Sequence, residues 1–267
     1  MKPASWWAKD GKGVIVALDH ALASGQVAPL DQPVGLLERV LAGKPDGLIV
    51  TYGMQQLVPA SFAGQSWLTA DYYATSTQPA GVGSLELQDA LWDMEAARQV
   101  GAAGLKVVLV FGRHDPQVFL NNVKYVARLV EQGRRLGMPV MVEPVLWGPQ
   151  FSAQQQTDTA LVLHAARIAF ELGASVIKIP IPDQPEALAS LAPHLPVPVV
   201  LMGGALTDPA GLFEAVYQCL QHGAAGVALG RNVWQYSAPA AMVGALNGLV
   251  HGNWQPQQAL DFLRTGG

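Results

Sequence analysis

Cysteine is nearly absent. Cys219 is the one cysteine in 267 residues, which excludes an intramolecular disulfide and a cysteine-based zinc site. Charge is also scarce: 16 Lys and Arg stand against 20 Asp and Glu, for a formal net charge of -4. The basic residues are scattered, so nucleic acid is not an expected partner. No run is long and apolar enough to span a bilayer, and no membrane association is expected. The opening segment "MKPASWWAKDGKG" lacks the apolar centre of a secretory signal, so a cytoplasmic location is expected. Low-complexity segments and long linkers are lacking, which leaves no reason for a domain boundary.

What the chain does have is apolar residues, which make up 50% of it and suffice for one large core. Eight short apolar runs read as strands: residues 14–20, 47–52, 67–73, 105–111, 139–146, 175–181, 198–204 and 226–230. The third, "WLTADYY", is blurred by polar residues. Helical patterns fall between the strands over residues 33–43, 85–101, 116–137 and 156–173. In the last of these, Ala160, Leu163, Ala166, Ile168 and Leu172 lie near one face. Such alternation predicts a single (β/α)8 TIM barrel over residues 1–267, with a doubly wound open sheet as the alternative. "GAAGLK" (101–106), "GASVIK" (173–178) and "GAAGVALG" (223–230) each stop a helix at glycine and enter a strand, the fourth, sixth and eighth.

Side chains along a barrel strand alternate between the interior and the helix layer. In "LGASVIKIPIPD" the isoleucines Ile177, Ile179 and Ile181 suit the helix side, which turns Lys178 inward. Burial favours a neutral amine, which is nucleophilic and forms Schiff bases with carbonyls. The alternative is an ammonium held charged by a carboxylate. Lys106 in "GLKVVLVF" is a second inward lysine, unless it reaches solvent at the lower mouth; if both lysines are interior, each lowers the pKa of the other. Asp19 in "ALDH" and Glu143 in "MVEPVLWG" fall on inward positions near the C-terminal strand ends, where barrel sites are built. The last two strands end in Gly203-Gly204 and Gly230-Arg231. Close backbone approach and the start of a helix at these places suit a phosphate group.

These residues resemble the class I aldolases of the deoxyribose-phosphate-aldolase-like superfamily, in particular archaeal-type fructose-bisphosphate aldolase and class I tagatose-bisphosphate aldolase. The resemblance is carried by "LDHA", "AARIAFELGASVIKI", "PVVLMGG" and "GAAGVALGRNVWQ". It implies that Lys178 is the Schiff-base lysine, that Asp19 orients or protonates groups beside it, and that Gly203, Gly204, Gly230 and Arg231 bind phosphate. "GAAGLK" is similar to the tagatose-type segment that places Lys106 in the site. The archaeal fructose enzymes carry an acid/base tyrosine after the fifth strand, and this chain has Val145 there. The tagatose branch has Glu-Pro at that place, which gives proton transfer to Glu143. Met202 replaces a small polar residue before the glycine pair, and "VFGRHDPQ" is without counterpart, leaving Arg113 and His114 as substrate-reading candidates.

The resemblance implies a metal-independent, cofactor-free lyase acting on a ketose phosphate, or on dihydroxyacetone phosphate plus an aldehyde. A homo-oligomer is expected. A Schiff-base transferase or synthase acting on a related phosphorylated substrate is the second reading. A barrel that binds a phosphorylated metabolite without turning it over is the third.

Overall fold

The computed structural model describes residues 10–73, 88–191 and 194–266. Its strands are β1 (Gly13–Ala17), β2 (Gly47–Val50), β3 (Gln65–Thr69), β4 (Asp71–Tyr73), β5 (Gln88–Ala90), β6 (Gly104–Val110), β7 (Val140–Val145), β8 (Val176–Pro180), β9 (Val199–Met202) and β10 (Gly226–Leu229). Eight of them close a barrel in the order β1-β10-β9-β8-β7-β6-β3-β2. Every neighbouring pair in it is parallel. With helices packed outside, this is a (β/α)8 barrel. Strands covered on both faces read as unbroken apolar runs, which is why "GVIVA" and "GLIV" form strands.

The expected alternation holds. Ile15, Ala17, Ile49, Trp67, Met141, Val176, Val200 and Ala228 pack together inside the barrel. Val14, Val16, Leu105, Val107, Leu109, Ile177 and Ile179 join the core beneath the helices. Above the interior layer, Val108, Val110 and Val145 pack with Tyr73, Trp147 and Met202. Gly101, Gly173 and Gly223 all have positive φ, of 75°, 93° and 104°. Each ends a helix just before β6, β8 or β10, as the repeated Gly-Ala motif predicts.

Three expectations are corrected. The third strand is not one piece over 67–73. β3 ends at Thr69, and β4 turns out of the barrel to pair antiparallel with β5, Asp71 opposite Ala90 and Tyr73 opposite Gln88. The helix expected over 85–101 spans only Met94–Gln99; residues 85–87 lie outside the described residues, and 88–90 form β5. The amides of Leu91 and Trp92 both donate to Ala70 O, and Asp93 caps the helix through Ala96 N. Lastly, the helix Thr159–Glu171 buries Val162, Ala165, Ala166 and Ala169, while Ala160 is exposed and Leu163, Ile168 and Leu172 are half-buried. The small alanines let this helix lie close to the barrel wall, and the larger side chains flank the contact.

Candidate functional site

Register brings the charged residues to one level. β6 pairs with β7 so that Val108 stands opposite Glu143, and β7 pairs with β8 so that Met141 stands opposite Val176. Two residues on, Glu143 and Lys178 are neighbours. Both point inward, and so does Lys106. Lys178 Nζ lies 3.0 Å from Glu143 Oε1, Lys106 Nζ lies 2.7 Å from Glu143 Oε2, and Lys106 Nζ lies 3.3 Å from Asp19 Oδ2. Thr69 donates its hydroxyl to the same Asp19 oxygen at 2.7 Å. Lys106 and Glu143 are each 2% exposed and Lys178 is 5% exposed, which excludes a Lys106 that reaches solvent below.

Electrostatics follow from this order of charges, Asp19–Lys106–Glu143–Lys178. Burial pushes the Lys106 ammonium toward neutrality, but the carboxylates of Glu143 and Asp19 outweigh it and hold its pKa well above the usual lysine range. The expectation that a neighbouring cation lowers the pKa of Lys106 is therefore corrected: the two carboxylates dominate. Burial raises the Glu143 pKa, and the two lysines bring it below the ordinary carboxylate value. Asp19 is also held below the ordinary carboxylate range: its burial is overcome by Lys106, His20, Lys178 and the Thr69 hydroxyl. Two inner anions and a fixed cation thus surround the amine of Lys178.

The profile of the DeoC/LacD family aldolases matches residues 13–236. This chain belongs to that family. It is 27% identical over 259 residues, 95% of each chain, to an uncharacterized aldolase of Saccharolobus solfataricus. It is 29% identical to the 3-hydroxy-5-phosphonooxypentane-2,4-dione thiolase of Yersinia pseudotuberculosis, over 92% of this chain and 79% of that one. A solved structure of a Schiff-base-forming fructose-1,6-bisphosphate aldolase superposes with a TM-score of 0.79 at 25% identity, covering 92% of this chain and 97% of that one.

In this DeoC/LacD barrel the ends of β9 and β10 also meet. Gly203 is pressed against Asn232: a Cβ there would lie 2.7 Å from Asn232 Nδ2. Asn232 donates to Gly203 O at 3.1 Å and Ala205 O at 3.0 Å, and accepts from Thr207 N at 2.9 Å. Gly204 has φ +63°, which favours glycine. Gly230 touches the His20 ring, where a Cβ would lie 2.3 Å from Cε1. The helix after Gly230 is a single turn, Arg231–Trp234, too short to supply the macrodipole expected there. What remains at this corner is Arg231, whose buried Nε has no hydrogen-bond partner among the described residues.

Arg113 and His114 are not brought in alike. Arg113 is buried and donates to Gln88 Oε1. Gln88 in turn donates to Asp71 and to Val108 O, which ties Arg113 to the wall beside Glu143. His114 is exposed on the loop beyond. Sequence reasoning missed Thr69, Asp71, Tyr73, His20 and Asn232. Asp71 is buried, and that burial pushes its carboxyl up to about 6. Tyr73 packs against Trp147 with ring centroids 5.9 Å apart, and burial raises its phenol pKa. The inward period Thr69, Asp71, Tyr73 was present in "TADYY", hidden by the blurred strand. Among the described residues no group of three or more His, Cys, Asp or Glu side chains is placed to hold a metal ion.

Proposed function

We propose that the chain is a metal-independent class I aldolase that makes or breaks a carbon–carbon bond in a phosphorylated ketose through a Schiff base on Lys178. The observation that carries this reading is the Glu143 carboxylate 3.0 Å from Lys178 Nζ and 2.7 Å from Lys106 Nζ. Lys178 transfers its proton to Glu143 and attacks the substrate carbonyl with the free amine. Glu143 gives that proton to the carbinolamine hydroxyl, which leaves as water, so the iminium forms and Glu143 is a carboxylate again. Glu143 takes the proton of the hydroxyl next to the scissile bond, the bond's electron pair flows into the iminium, and the aldehyde leaves. The resulting enamine regains a proton at carbon, and water releases the ketone product. Lys106 holds Glu143 in place and returns it to the anionic form between proton transfers, and Asp19, fixed by Thr69, orients the groups around the imine. The phosphoryl group lies at Gly203, Gly204, Gly230 and Arg231.

The likeness to the Yersinia thiolase favours a second reading, in which the same lysine serves acyl transfer from a phosphorylated dione. Both readings share the covalent step. Incubation with dihydroxyacetone phosphate, borohydride reduction and peptide mass analysis should place one adduct on Lys178. No adduct, or an adduct on Lys106 alone, rules out both. Product analysis with a ketose bisphosphate then separates cleavage from transfer. An enzyme that releases no aldehyde from any ketose phosphate, yet transfers an acyl group, is the second.

A further inference from the structure

His20 belongs to the "LDHA" segment, yet the chemistry above gives it no task. Its ring stands between the lysine–carboxylate chain and the corner at Gly230 and Arg231. Nδ1 lies 3.6 Å from Asp19 Oδ1, too far for a hydrogen bond, and it is buried without another partner. The opposite edge faces the corner: a Cβ on Gly230 would lie 2.9 Å from Nε2. The ring also meets Trp234 edge-on, with centroids 5.3 Å apart and planes at 74°. Trp234 is itself fixed by its indole N–H, which donates to Ala17 O at 3.1 Å. The imidazole is thus held in place by the strand end on one side and by the Arg231 turn on the other.

We propose that His20 is a positioning residue that takes up a proton when a phosphoryl anion occupies the corner at Gly230 and Arg231, and so ties phosphate occupancy to the Asp19 end of the lysine–carboxylate chain. This rests on the placement of the phosphoryl group given under the proposed function.

The titratable and charged groups that face His20 are Asp19 on the β1 end, Lys178 on β8, Arg231 after β10 and Lys106 on β6. Burial lowers the His20 pKa, Asp19 raises it, and Lys178, Arg231 and Lys106 lower it further, with a net fall that keeps the ring neutral at rest. The Asp19 carboxylate beside Nδ1 favours the tautomer with its proton there, which leaves a lone pair at Nε2. A lone pair repels an anion. An oxyanion beside Arg231 offsets that cation and places negative charge at Nε2, so proton uptake becomes favourable. The charged ring then donates at both edges, to the anion through Nε2 and toward Asp19 through Nδ1. A substrate without a phosphoryl group leaves the ring neutral and Asp19 without that contact.

The test uses the full chain with ¹³Cε1-labelled histidine, His20 being assigned by its loss in His20→Gln. The ring signal is titrated with pH in chloride and in sulfate of equal ionic strength, because sulfate does not itself titrate near neutrality. The expected result is a rise of the His20 pKa by about one unit or more in sulfate, a tenfold gain in proton affinity. Sulfate affinity of the wild type should also strengthen from pH 8 to pH 6, and that trend should vanish in His20→Gln. If sulfate shifts the Gly204 and Gly230 amides but leaves the His20 titration unchanged, this inference is overturned and the phosphate site stands. If sulfate shifts neither the amides nor the histidine, the phosphate site is misplaced and the inference falls with it.

Discussion

Lys178 Nζ stands 3.0 Å from Glu143 Oε1 within a barrel interior that leaves both side chains almost closed to water. An amine and a carboxylate held this close exchange a proton without crossing solvent. The other Glu143 oxygen is held by Lys106, so the carboxylate cannot swing away. Glu143→Gln preserves the shape and removes the proton acceptor. Adduct formation on Lys178 should survive, because the amine can lose its proton to water more slowly, whereas multiple turnover should fall by roughly 10²–10⁴-fold. The wild-type acid limb of kcat should lie below the ordinary carboxylate range, because burial is outweighed by Lys106 and Lys178, and the variant should lose that limb. Steady-state rates between pH 3 and pH 9, with borohydride trapping alongside, check both.

Lys106 shares its charge between Glu143 and Asp19, and its removal leaves two buried anions without a common partner. Breaking such a group by truncation costs about 3–5 kcal/mol. Lys106→Met should therefore lower stability at pH 7 by roughly that amount. The sign with pH is fixed by the two carboxylates. In the wild type their folded pKa values lie below the unfolded ones, so their contribution is present above about pH 4 and is lost as pH falls through the folded values. In the variant the carboxylates become easier to protonate, so acid relieves it. Urea unfolding should show a wide gap between the two proteins at pH 7 that narrows by pH 3. A gap of constant width would mean that Lys106 acts through packing alone.

How much of this was legible depends on whether a signal was local. Lys178 was legible because one charged residue broke an apolar strand, and a period of two decides which way it points. Asp19, Glu143 and Lys106 followed from the same period. Gly101, Gly173 and Gly223 were legible as helix stops because their conformation is a property of a few adjacent residues. The β4–β5 hairpin was not, since its partners Tyr73 and Gln88 are separated along the chain and "LELQDALWDMEAARQV" carries apolar residues at helical spacing. His20 and Asn232 were missed for a different reason. Their meaning comes from Gly230 and Gly203, which the fold alone brings against them. The Lys106 pKa was misjudged because a second lysine was weighed before the two acids that flank it.

At the opposite end of the barrel, His251 joins two acids. Its Nδ1 lies 2.6 Å from Asp10 Oδ2 and its Nε2 lies 2.8 Å from Asp46 Oδ2, an oxygen that also accepts from Val14 N at 2.7 Å. The hydrogen bond to Asp46 leads in raising the His251 pKa to about 9, against partial desolvation, with Asp10 adding to it. A raised histidine stabilises fully below its unfolded pKa near 6.5 and loses that contribution as pH climbs through about 9. His251→Gln should cost on the order of 1–2 kcal/mol at pH 6, discounted for partial exposure, and the cost should fade by pH 10. Thermal unfolding of both proteins across that range checks it. Activity at pH 7 and 25 °C should be unchanged, because this cluster lies across the barrel from Lys178.

Asn232 separates the proposed phosphate site from the lysine chemistry most sharply. It is buried and spans the gap between the ends of β9 and β10. Two donor contacts hold Gly203 O and Ala205 O, and its oxygen accepts from Thr207 N at 2.9 Å and from Thr207 Oγ1 at 3.1 Å. Asn232→Ala leaves those four groups without their partner, and each one that stays buried costs about 1–3 kcal/mol. The loop carrying Gly203 and Gly204 should loosen while Lys178, on β8, keeps its neighbours. KM for a ketose phosphate should rise by about tenfold or more, the equivalent of one lost contact of roughly 1.4 kcal/mol. Trapping with unphosphorylated dihydroxyacetone should proceed at the wild-type rate. Asn232→Asp keeps the acceptor toward Thr207, loses the donors and sets a negative charge beside the proposed phosphoryl site. It should therefore bind phosphorylated substrate more weakly than the alanine variant, and the deficit should shrink with added salt. Equal losses with phosphorylated and unphosphorylated substrates in both variants would mean that Asn232 supports the barrel as a whole, and that the phosphoryl group is read elsewhere.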